Sequence, residues 1–244
     1  PQPFGTALKV DFQFRNADKV KLQLYKIDLP SLMAEHKKNI IKDEFNYHSY
    51  PFSYLGSWLL GEEQAKFRST KVREWEEALE ALPGHRDRIT TLEIDITEPG
   101  AYWLVAELPG GHKSRIPIMA EKYQLLMKPM KNEVLWQLVN SINGEAVANA
   151  DLQFFVWTAT WDSKSRKNIL LKKDLQKTTD EFGCVYVDAK DLPGENSAYH
   201  LRWLASANIN GQENTFVCSS VIGNYFFADG QTAPRTKAFL VSDR

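Results

Sequence analysis

The residues of this chain that could do chemistry are two cysteines, five histidines and a run of closely spaced glutamates. Cys184 and Cys218 could form one disulfide or stay as two buried thiols, and an even count of two leaves the redox compartment open. Cys184 has no His or cationic neighbour in sequence to lower its pKa and it opens an apolar strand. It therefore reads as a buried or disulfide-bonded Cys, not a nucleophile. His36, His48, His85, His112 and His200 lie far apart in different contexts and read as ordinary surface or core histidines. Glu74, Glu76, Glu77 and Glu80 read as the solvated face of a helix whose apolar side holds Trp75 and Leu79, and not as an acid-base pair. Gly-x-Ser-x-Gly, His-Glu-x-x-His, a phosphate-binding glycine loop and cysteine pairs at metal spacing are absent. No catalytic, cofactor-binding or metal-binding residue is assigned, and no enzyme is expected.

Seven tryptophans, with clusters at Tyr54 and Trp58 and at Trp157 and Trp161, raise sugar stacking as a second kind of chemistry. Trp157 alternates with Phe155 and reads as core, whereas Trp161 and Trp58 are candidates for exposure or for packing of an insertion.

The elements that would position these residues are strands. Ala7 to Arg15 places Leu8, Val10, Phe12 and Phe14 on one face, and Val20 to Ile27 follows after the Asn16-Ala17-Asp18 turn, so the two read as a hairpin. From Pro30 the period changes. Ser31 could cap a short helix through about Lys42, and Val72, Trp75, Leu79 and Leu82 recur at helical spacing until Pro83-Gly84. Residues 31 to 85 thus read as a mostly helical insertion in a β domain. Alternation returns in Ile89 to Ile96 and Ala101 to Glu107, and Pro109-Gly110-Gly111 closes a hairpin into Ser114 to Met119.

The second half shows short strands at Tyr123 to Lys128, Glu133 to Asn140, Leu152 to Trp157, Cys184 to Val187, Tyr199 to Ala205 and Thr215 to Val221. Turn chemistry separates them at Asn143-Gly144, Asp180 to Gly183, Pro193-Gly194 and Asn210-Gly211, which is the pattern of a two-sheet sandwich. The expected fold is all-β: two immunoglobulin or fibronectin III-like sandwich domains, residues 1–120 and 121–224, the first carrying the insertion. Residues 225–244 form a linker and the first strand of a following domain. The near absence of a linker at Ala120-Glu121 implies a rigid pair.

With 43% apolar and 25% charged residues among 244, the chain has the balance of a globular protein that buries real cores. Its net charge of -1 supplies no basic field to draw in nucleic acid. Its apolar runs fall far short of the roughly 20 residues that span a bilayer, so neither nucleic acid nor membrane contact is expected of this segment. The chain opens on Pro1, without initiator Met, signal peptide or lipidation Cys, and Thr236 to Arg244 reads as a strand stopping on Asp243-Arg244. Both ends suggest an internal fragment of something longer.

Three stretches follow one another in order: Tyr123-Gln-Leu-Leu-Met-Lys, then Asn143-Gly144-Glu-Ala-Val147-Ala-Asn-Ala150-Asp-Leu152, then Lys177-Thr-Thr-Asp180-Glu-Phe-Gly183. Together they resemble a macroglobulin-like domain of the bacterial α2-macroglobulin family, with Ala146 where that family usually carries Pro. Phe14-Arg15-Asn16, Leu24-Tyr25-Lys-Ile-Asp28-Leu29 and Pro99-Gly100-Ala-Tyr102-Trp-Leu-Val105 resemble an earlier domain of the same proteins. The terminal Ser-Asp243-Arg244 resembles the entry into the next.

The resemblance implies a structural segment of a broad-spectrum protease trap in the periplasm or cell envelope. Any membrane anchor would be supplied by the parent chain, with neighbouring domains as partners and proteases as the parent's targets. The family's thioester needs Gly-Cys-x-Glu-Gln, and the Gly183-Cys184 here is followed by Val185-Tyr186, so neither thioester nor bait is expected. The alternative is an adhesin-like or carbohydrate-binding array of immunoglobulin-like domains. A hydrolase stands third.

Overall fold

The computed structural model describes residues 2–5, 7–41, 68–130, 133–194 and 201–217. The first half contains β1 (Gln2–Pro3), β2 (Leu8–Phe14), β3 (Lys19–Ile27), α1 (Leu29–Ile41), β4 (Arg68–Ala78), β5 (Arg88–Ile94), β6 (Gly100–Glu107) and β7 (Lys113–Glu121). The second half contains β8 (Tyr123–Pro129), β9 (Glu133–Asn140), β10 (Asp151–Asp162), β11 (Lys167–Thr178), β12 (Cys184–Asp188), β13 (Arg202–Ile209) and β14 (Gln212–Val217). The fold is all-β and built of sandwiches, as the alternation in the sequence requires.

In the first sandwich a sheet of order β1-β7-β6-β3-β4 faces the pair β2-β5. Period-two alternation aims Val20, Leu22 and Leu24 of β3 and Tyr102, Leu104 and Ala106 of β6 at Leu8, Phe12 and Phe14 of β2 and Leu92 and Ile94 of β5. Each buried Val, Leu, Ile or Phe among them contributes roughly 1.5–3 kcal/mol by leaving water. The hairpin expected from β2 and β3 does not form: β2 pairs with β5 and β3 with β4 and β6. Both strands carry an apolar face, and the chain buries both by crossing from one layer to the other at Asn16-Ala17-Asp18, with Asn16 at φ 52. The hairpin expected at Pro109-Gly110-Gly111 is present as β6-β7.

The helix expected over Val72 to Leu82 does not form, and the chain is a strand as far as Ala78. β4 lies antiparallel on β3 as the edge of its sheet, and the register skips Val72, because Leu24 pairs with Arg73 and Tyr25 with Lys71. Residues three apart, spaced for one helix face, fall on opposite sides of a strand, and Val72 is the extra residue of the bulge. Pairing is favoured by charge: Lys19 meets Glu76 at 3.1 Å and Lys21 meets Glu74 at 2.8 Å across the strands. The shorter helix does form, as α1, but Asp28 and not Ser31 starts it; the Asp28 carboxylate accepts from Ser31 N at 3.1 Å. Residues 42–67, with the rest of the expected insertion, His48, Tyr54 and Trp58, lie outside the described residues.

The second sandwich faces a sheet of order β11-β10-β13-β14 with one of order β12-β9-β8. Its centre is aromatic: Trp136 lies 4.9 Å from Phe154 and 6.2 Å from Trp203, ring centroid to centroid. Strand β11 is not signalled in the sequence, since Lys167–Thr178 carries four lysines and little alternation. It forms because β10 offers it twelve backbone pairings. The Asn210-Gly211 turn has φ 53 and 79, the mirror-image geometry that lets a two-residue loop join β13 to β14.

Candidate functional site

The sequence assigned no catalytic residue, and beyond the two sandwich cores the fold builds a third apolar cluster at the junction between them. β6 is buried on both faces from Ala101 to Ala106. While Tyr102, Leu104 and Ala106 serve the first core, Ala101, Trp103 and Val105 point the other way. There they meet Ile27, then Leu29, Leu32, Met33 and Ile40 of α1, and finally Phe155 and Trp157 of β10 and Leu204 of β13. The apolar run Ala101 to Ala106 is thus long and unbroken because it serves two interiors. Helix α1 is the wedge between them. Lys37 of α1 stands 4.6 Å over the Phe155 ring, and Lys172 of β11 donates to the Ile41 carbonyl at 3.2 Å.

His36 lies inside this wedge, 5% exposed, edge-on to Trp157, and burial pushes its pKa down to about 4. A groove of about 670 Å³ opens beside the junction, with Lys26, Glu98 and Glu121 on one side and Glu213, Asn214 and Phe216 on the other. Lys26 and Glu98 are paired at 2.6 Å. Burial pushes the Glu121 carboxyl up to about 7, so near neutrality it can donate or accept a proton.

The remaining sequence candidates are scattered. His85 and His112 are exposed on turns, and His200 and Cys218 lie outside the described residues. Cys184 is a buried free thiol at the start of β12, its pKa raised mainly by burial, as its apolar setting implied. Glu74 is held down to about 2 by hydrogen bonds from Lys21, Lys71 and Gln23, a surface network across strands in place of the expected helix face. Trp157 is core and Trp161 is 62% exposed. Among the described residues no cluster of His, Cys, Asp or Glu could hold a metal ion, and no helix is long and apolar enough to cross a membrane. The junction itself was missed by the sequence reading; its signal was the two-sided apolar character of Ala101 to Ala106 and Phe154 to Trp157.

The turns that carried the sequence resemblance are built as their residues require. The Asp180 carboxylate accepts from Phe182 N at 2.9 Å and Cys184 N at 2.7 Å. Gly183 holds φ 70 and Gly144 φ 73, while Asn143 keeps ordinary φ and accepts from Glu145 N through its side chain.

No family model matches this chain, and no curated protein matches it. Among solved structures it is similar to native alpha-2-macroglobulin from Escherichia coli spanning domains NIE-MG1, with a TM-score of 0.54 and 14% identity over 88% of this chain and 91% of that one. It is also similar to the same protein spanning domains MG0-NIE-MG1, with a TM-score of 0.53 and 12% identity. There it matches over 88% of its own length and 60% of the other chain's. At such identities the likeness is one of fold, and these two structures share it across both sandwiches.

Proposed function

We propose that this chain is an architectural segment of a larger protease trap of the α2-macroglobulin kind, acting in the periplasm or at the envelope. It carries neither bait nor thioester. Its task is mechanical: two sandwiches held at a fixed angle set the spacing of the domains on either side. In this reading the first unit runs through residue 120, the second from 121 to 224, and 225–244 leads into a following domain. Proteases are targets of the parent and not of this segment.

The observation that carries the reading is the junction. An architectural pair must resist bending, and here β3, α1 and β6 share one apolar cluster with β10 and β13 that bending would open. The connection from β7, ending at Glu121, to β8, starting at Tyr123, adds little freedom. The match in fold to consecutive alpha-2-macroglobulin domains supports the same reading.

The test is to express the full-length parent, expose it to a protease, and compare the remaining activity on a large protein substrate and on a small peptide. Selective loss toward the large substrate, abolished when this segment is deleted, is the expected outcome. Equal activity on both substrates would overturn the reading.

A further inference from the structure

Among the described residues β13 pairs with β10 from Leu152 to Trp157, and β11 follows β10 to its end at Asp162↔Lys167. Beyond Trp157 the β10–β11 ladder runs on for five rungs, roughly 17 Å at about 3.4 Å per residue. The end of such a ladder, where it turns back at the surface, is normally polar. Here Trp161, paired with Asn168, is 62% exposed, and Ile169, on the next rung and the opposite face, is 44% exposed.

The turn that follows, Ser163 to Arg166, is basic. Lys164, Arg166 and Lys167 are exposed, and none of the ion pairs among the described residues engages them. The one acid, Asp162, is turned inward, accepting from Lys164 N at 3.2 Å and Ser165 N at 3.0 Å, so its charge is spent on the turn's own backbone. Arg166 sits at φ 51, where glycine or asparagine would be relaxed. A cation is kept at the apex at a cost in backbone strain.

We propose that the tip of the β10–β11 ladder docks on an anionic lipid surface, with Trp161 at the level of the headgroups and Lys164, Arg166 and Lys167 on their phosphates. Indole rings settle at this level, and cations beside them are drawn to anionic headgroups. The tip is convex and exposes apolar side chains on both faces. A sugar ring would cover one face of Trp161 and leave Ile169 in water, and a flat protein partner would likewise cover one face. The headgroup layer surrounds both. A nucleic acid is disfavoured by the net charge of -1. The sequence expectation of no membrane contact came from the lack of a long apolar run, which a headgroup-level contact does not need.

The experiment is co-sedimentation of the 244-residue chain with vesicles of phosphatidylcholine alone and of phosphatidylcholine mixed with phosphatidylglycerol, with tryptophan emission recorded in parallel. Binding to the mixed vesicles, weakened by salt and accompanied by a blue shift, is expected. The triple variant K164E/R166E/K167E should bind roughly tenfold or more weakly, and W161A should lose the shift. Both substitutions are at exposed positions, so unchanged melting curves certify the fold. Equal binding to both vesicle types, full binding by the variants, binding to soluble heparin in place of vesicles, or no sedimentation would each overturn the proposal.

Discussion

The imidazole of His36 on α1 meets the indole of Trp157 on β10 edge to face, with ring centroids 6.5 Å apart and planes at 64°. Both side chains are shut off from water, and the contact crosses the junction between the sandwiches. An imidazolium at this place would give up hydration for a setting of Leu32, Met33, Trp103 and Trp157, so the neutral ring is the form the fold holds.

Stability should therefore depend on pH through two groups of opposite sign. His36 titrates at about 4 in the fold against 6.5 unfolded, so the unfolded chain binds the extra proton between those values. Its contribution is complete above pH 6.5 and is lost as pH falls toward 4. Glu121 titrates at about 7 against 4.5, so the folded chain binds the extra proton, and its contribution is complete below pH 4.5 and lost as pH rises through 7. Each swing is at most a few kcal/mol. Urea titrations should show Glu121→Gln losing stability from pH 7 to 5 more steeply than the parent chain, and His36→Gln gaining it. Parallel pH profiles for all three proteins would refute the assignment.

Strand β4 can be told from a helix by two substitutions. Trp75 packs on the first core with the Arg73 guanidinium 4.7 Å over its ring, whereas Val72 sits in the bulge, 48% exposed. Trp75→Ala should cost about 2 kcal/mol, and Val72→Ala should stay within about 0.5 kcal/mol. On a helix the two would share a buried face and cost comparable amounts. Chemical denaturation of the two variants decides between the two cases.

Much of the fold was legible wherever alternation met turn chemistry. β6, β7, β8 and β9 follow Ala101 to Asn140 nearly residue for residue, and Pro109-Gly110-Gly111 and Asn210-Gly211 are hairpins as their glycines demand. Reading failed where the deciding partner is remote in sequence. The glutamates of β4 favour helix locally, and what makes them a strand is pairing with β3, whose Lys19 and Lys21 face them from more than fifty residues earlier. The lysine-rich β11 has no pattern of its own and borrows one from β10. The junction was illegible for a related reason: periodicity shows which face of a strand is apolar, and a strand apolar on both faces does not say what its second face meets.

Trp157→Ala should remove the centre of the junction cluster and cost about 3–5 kcal/mol. Because Trp157 lies with Phe155 and Leu204 against α1 and β6, the loss should also uncouple the sandwiches. Calorimetry should show one transition for the parent chain and two for the variant. A variant that melts lower but still as one transition would mean that the sandwiches are coupled elsewhere.

Gly183 is where steric and conformational demands meet. A Cβ there would lie 2.5 Å from the Leu138 carbonyl oxygen and 3.1 Å from Val147 N. That carbonyl is already held by the Val147 N–H at 3.0 Å, while Leu138 N donates to the Gly183 carbonyl at 2.8 Å, so the oxygen has nowhere to retreat. Gly144 has the same sign of φ, 73, but nothing within 4 Å of its would-be Cβ. Gly144→Ala should cost only the left-handed penalty of about 1 kcal/mol. Gly183→Ala should cost about 3 kcal/mol or more, because β9, β12 and the 146–147 segment must part. Equal melting temperatures for the two variants would mean that the close approach at Gly183 is not a constraint on the fold.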